Sequence, residues 1–182
     1  MGTCTSWIAI EGASVEQVAR ELRLRPAPAD AAEDPDAGIY MASVLPGGWV
    51  LLVHRLEYDG VVADREQLEK LSRGRRVVGC DEESHVMYSA ASEWREGREV
   101  WAVIHSSEEA LDHLHARGDL PAGWSSVKDE LMAQHAAAAK SGEGVDYAYE
   151  VPLVTAKLVV GYRFASEDDD DLEVVALVAA SE

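Results

Sequence analysis

Basic residues are scarce in this 182-residue chain. Sixteen Lys and Arg stand against 34 Asp and Glu, which leaves a formal net charge of −18 and a sequence pI near 4.6. A field of that sign repels phosphate backbones and anionic lipid, so nucleic acid and membrane surfaces are not expected partners. Cysteine is nearly missing as well: Cys4 and Cys80 are too few for a disulfide framework or a thiolate metal site. No stretch approaches the roughly 18 apolar residues of a membrane helix. Met1 to Trp7 carries neither the basic nor the apolar region of a secretory leader, so the expected location is the cytoplasm.

Signature motifs are missing too. HExxH, G-x-G-x-x-G, G-x-x-x-x-G-K-[ST] and G-x-S-x-G do not occur, so no cofactor, resident metal or catalytic residue is expected, and a non-enzymatic protein is favoured. What is present is enough apolar residue for a core, 47% of the chain, at a length that suits a single domain over 1–182.

Three segments share one grammar: a Trp-led apolar run, a turn, then a short amphipathic helix. Trp7 to Ile10 precedes a helix from Ser14 to Leu24, with Ser14 and Gln17 as a capping box. Trp49 to Val53 precedes a helix from Asp64 to Leu71, with Asp64 as N-cap and Gly74 as stop. Val100 to Ile104, built around Trp101, precedes a helix expected from Ser106 to Arg117, with Leu111 facing inward. Between the second and third lies an antiparallel meander near 76–105, with Asp81-Glu82-Glu83 as an acidic turn. Further on, a helix from Ser126 through the Ala136–Ala139 run, a buried helix over 153–160 and a strand from Glu173 to Val178 complete an α+β chain. The expectation is an antiparallel or mixed sheet flanked by four to five helices, with mobile acidic loops near 26–38 and 166–171.

Candidate sites follow from position and charge. His54 and His105 each end a Trp-led strand, where loops collect function, and Arg75 lies in the one basic cluster, Arg73 to Arg76. If the two strands are neighbours, these residues share a rim and form a small-molecule pocket. His113 and His115, two apart on the expected third helix, point too far apart to chelate one ion. The strongest oddity is Asp168, Asp169, Asp170 and Asp171 with Glu173 close by, an exposed contact suited to a basic partner. Trp94 and Trp124 sit beside turns, where an exposed indole anchors an interface.

In size, acidity and meander the chain resembles the small bacterial immunity proteins that neutralise basic toxins, and acidic adaptor domains. That resemblance implies a soluble binding protein that docks a basic protein partner. The alternatives are an enzyme or ligand-binding domain at His54 and His105, and an oligomer paired through Val174 to Val178. The partner, any substrate and the oligomeric state are left open.

Overall fold

The computed structural model describes residues 4–28, 38–56 (backbone alone at 55–56), 63–142, 144–163 and 172–180. Their strands form one nine-stranded antiparallel sheet in the order β2-β9-β3-β4-β1-β5-β6-β7-β8. The strands are β1 (Cys4–Glu11), β2 (Leu24–Pro26), β3 (Tyr40–Val44), β4 (Trp49–Leu56), β5 (Arg76–Glu83), β6 (Tyr88–Arg95), β7 (Arg98–Ser106), β8 (His115–Gly118) and β9 (Val175–Ala179). The helices are α1 (Val15–Glu21), α2 (Arg65–Leu71), α3 (Trp124–Ser141) and α4 (Glu150–Val160). The sheet is larger than the meander alone implied. No helix among the described residues is long and apolar enough to cross a membrane.

The central strands are apolar on both sides because both sides are covered. Along β1, Trp7 and Ala9 face the side capped by α3 and α4, while Ile8 and Ile10 face the side capped by α1 and α2. All four are no more than 2% exposed. Trp7, Trp49 and Trp101 join the same core cluster on the α3/α4 side, with Val151, Leu153 and Ala156 of α4. On the opposite side Val18 of α1 and Leu68 and Leu71 of α2 pack on Ile8, Val50, Leu52 and Val77. Gly79 lets α2 approach: a Cβ there would stand 3.0 Å from Ala63 Cβ and from both Leu68 methyls.

Local signals placed the first two helices well. Ser14 and Gln17 make both halves of the capping box, and Asp64 accepts from the Gln67 amide at 3.0 Å. Pro152 lies in the first turn of α4, and Gly161 closes it in the left-handed region at φ 80°. Gly142 ends α3 the same way at φ 76°.

Two expectations are overturned. The helix from Ser106 to Arg117 does not form: 107–109 are turns and His115–Gly118 is the edge strand β8, paired with Trp101 to Ile104. Tertiary bonds outweigh a short helical pattern here. Ser106 N donates to His113 Nδ1 at 3.0 Å, the His113 carbonyl meets His105 Nδ1 at 2.7 Å, and Leu111 is left 70% exposed. Gly118, at φ 83°, closes this edge because a Cβ would fall 2.1 Å from the Val100 carbonyl oxygen. Nor is Asp81-Glu82-Glu83 a turn. These acids end β5, paired with Ser6, Thr5 and Cys4 of β1, and the turn lies at 84–87.

The strand at the C-terminal end also sits differently from the pairing edge considered for it. β9 lies inside the sheet, bonded to β2 on one side and β3 on the other, so its backbone is already occupied.

Candidate functional site

His54 and His105 do not meet. Register puts His54 on the face of Val50 and Leu52, beneath α1 and α2, where its ring stacks on Tyr40 at 4.2 Å between centroids. His105 shares the opposite face with Trp101 and Val103. Strands β1, β5 and β6 separate their strands, roughly 19 Å at normal spacing. Arg75 lies at the turn before β5 and is held by Glu21 at 2.7 Å. The expected three-residue pocket is therefore absent, because the strands that looked alike are not neighbours.

Each of the two faces instead carries a polar feature. On the α3/α4 side, fully buried His105 reaches Asp146, whose backbone lies between α3 and α4. His105 Nε2 lies 3.1 Å from Asp146 Oδ2, and His135 Nδ1 from α3 lies 3.3 Å from Asp146 Oδ1. Both contacts are within ion-pair range but outside hydrogen-bond alignment. Asp146 Oδ1 also accepts the amides of Ala148 and Tyr149, at 3.0 and 3.2 Å. A carbonyl only accepts, so the His105 Nδ1 facing His113 O carries a proton. The arrangement ties β7, α3 and the start of α4 into one clasp. Sequence spacing gives no signal for it, because Asp146 and His135 belong to no motif.

On the α1/α2 side, a groove of about 240 Å³ opens beside α2 over β5, β6 and β7. Its floor is small: Gly79, Ser92 and Ala102 face one another in one register row, and Asp81, Ala90 and Ile104 in the next. Trp94 closes one end, and Arg65 lies over its ring at 5.5 Å. Glu99 and Arg117 form a bidentate pair at 2.7 and 2.9 Å on the wall. Asp81 accepts from Ser6 Oγ at 2.5 Å, and that oxygen in turn accepts from the Ala63 amide at 3.1 Å. Burial, offset in part by the Ser6 bond and reinforced by the Asp64 charge, pushes the Asp81 carboxyl up to about 6. Burial, then the Asp81 charge, also raises the Tyr88 phenol. A second, wider cleft of about 550 Å³ between α1 and α2 is lined by Glu21, Arg23, Glu66 and Lys70, with Lys70 and Glu66 already paired at 2.6 Å.

The remaining expected residues are distributed unevenly. Asp168, Asp169, Asp170 and Asp171 lie outside the described residues, as does most of the loop over 26–38. Glu173 is exposed just before β9. Trp94 is a correction: it is 3% exposed, packed in the α1/α2 core, with Nε1 donating to Ser92 Oγ at 3.1 Å. Its place near the turn misled: Trp94 continues the row of Ala90 and Ser92 along β6, opposite Val77, and so faces the side covered by α1 and α2. Trp124 is half-buried against the α3/α4 core, with Lys128 Nζ 5.4 Å from its ring centre.

Among the described residues no group of three or more His, Cys, Asp or Glu side chains is placed to hold a metal ion. No protein-family model matches the chain, and neither the curated proteins nor the solved structures include one similar to it.

Proposed function

We propose that this protein is a non-enzymatic acidic binding protein that engages a basic protein partner, in the manner of an immunity or adaptor protein. One observation carries the reading: among the described residues, half of the chain's cations are already paired with its own carboxylates. Eight of the sixteen Lys and Arg side chains are in ion pairs with the chain's own carboxylates: Lys70, Arg73, Arg75, Arg76, Arg95, Arg117, Lys128 and Arg163. Pairing removes one charge of each sign, so the unmatched charge of −18 belongs to carboxylates. Such a field raises encounter rates with basic surfaces and disfavours acidic ones. Asp168 to Asp171 and Glu173 are the densest segment of that charge.

The test replaces Asp168, Asp169, Asp170 and Asp171 by Asn and Glu173 by Gln, and uses wild type and variant as paired baits in a native lysate. A basic partner recovered at one-to-one stoichiometry by wild type is then followed by stopped-flow association. Association at low salt is expected to fall at least tenfold in the variant, with little change in dissociation, because such charges steer encounter. Failure to recover a stoichiometric basic partner, or an unchanged association rate across salt, rejects the reading.

A further inference from the structure

We propose that the groove over β5, β6 and β7 is a binding site for a small organic cation, a primary ammonium on a compact apolar body, with Asp81 as its counter-ion. The observations behind this are independent of the acidic-partner reading. The charged side chains that line the groove are Asp81, Glu99, Arg65 and Arg117. Glu99 and Arg117 satisfy each other through two hydrogen bonds. Arg65 is drawn over Trp94, which lies four residues along β6 from Ala90, the register partner of Asp81, or about 13 Å at strand rise. Asp81 is thus left without an ion-pair partner among the described residues; it accepts from the Ser6 hydroxyl and lies in the field of a second carboxylate, Asp64. A buried carboxylate without a cation is an unfavourable arrangement that a bound ammonium relieves, and the same ammonium lies in the field of Asp64.

Shape selects the rest of the ligand. From Asp81 the floor runs over Ala90, Ala102 and Ser92, side chains too small to fill the space above them. Ile104 and the Trp94 ring supply apolar walls. A space of about 240 Å³ lies below the range that takes drug-sized molecules, so the fit is to a compact body such as a phenyl or short alkyl group. Ser6 occupies Asp81 Oδ1, so the ammonium is met by the rest of the carboxylate, with Tyr88 also lining the groove.

The experiment uses the full chain and three probes of one shape: phenethylamine, 2-phenylethanol and phenylacetate. Titrations followed by amide NMR shifts read Gly79, Ala90 and Ala102 at the groove and Val18 as a distant control. Phenethylamine is expected to saturate the groove amides at least tenfold more tightly than 2-phenylethanol, and phenylacetate to leave them unmoved. Asp81→Asn is expected to erase the difference between amine and alcohol. Ala90→Leu, which fills the groove from its floor, is expected to abolish both. The proposal is overturned if the alcohol or the acid matches the amine, if Asp81→Asn leaves amine affinity unchanged, or if no groove amide shifts by about 10 mM probe.

Discussion

The Ser6 hydroxyl donates to Asp81 Oδ1 at 2.5 Å across the β1–β5 pairing, on the face covered by α2. That bond favours the carboxylate, yet burial outweighs it and the carboxyl titrates near 6 in the folded protein against 3.8 in an open chain. The native state therefore holds this proton more tightly than the unfolded state. Its contribution to stability is full below about pH 4 and is lost as pH rises through about 6. Asp81→Asn keeps an acceptor for Ser6 and removes the charge. It is expected to be more stable than wild type at pH 8, on the order of 1–3 kcal/mol, with the advantage gone near pH 4. Urea unfolding at both pH values decides the matter, and a variant no more stable at pH 8 contradicts the account.

Glu93 behaves in the opposite sense. Burial pushes its carboxyl up, but hydrogen bonds from Arg76, Arg95 and Trp101 overcome that and bring it below the usual value. Arg76 and Arg95 face each other directly across β5 and β6, and Glu93 accepts from both, at 3.1 and 2.5 Å. Its contribution is present above the unfolded value of 4.5 and is lost as pH falls below it. Glu93→Gln is expected to cost about 2–4 kcal/mol at neutral pH, toward the lower end because both arginines reach water. The loss should shrink on acidification, which denaturation at about pH 3.5 measures.

The indoles separate by burial, not by closeness to a turn. Trp94→Ala is expected to cost as much as Trp101→Ala, about 3–5 kcal/mol, since each empties a core on its own face. Trp124→Ala, at a half-buried site, should cost less. Chemical denaturation that ranked Trp94 with Trp124 would contradict the packing described for β6.

The clasp on the other face is tested by Asp146→Ala. It leaves buried His105 and half-buried His135 without their carboxylate and frees the amides of Ala148 and Tyr149. A loss of about 2–4 kcal/mol is expected, with hydrogen exchange rising first at 144–150 and along α3. Exchange confined to α1 and α2 would be the wrong outcome.

Much of the architecture was legible where local chemistry decides it. Ser14 with Gln17, Asp64, Pro152 and Gly161 mark helix ends through bonds to nearby backbone, and those ends were placed within a few residues. What was not legible depends on partners distant in the chain. Strand β8 reads as a helix until Trp101 to Ile104 pair with it. Strands β2 and β3 are too short and mixed to announce themselves; β2 forms against β9, about 150 residues later, and β3 is held between its hairpin partner β4 and β9. The candidate sites suffered most. Pairing His54 with His105 assumed that like strands are neighbours, whereas Asp146 and Asp81 matter through a buried environment that spacing does not reveal.

The two outermost strands have a bearing on self-association. At one margin β2 has three residues and ends in Pro26, which has no amide hydrogen to offer. At the other, β8 has four and stops at Gly118, whose backbone doubles back against Val100. An incoming extended chain finds only a few donors and acceptors at either seam, too few to hold it against the entropy of alignment. A sheet of this breadth, with apolar strands running through its middle, is thereby guarded against templating its own aggregation.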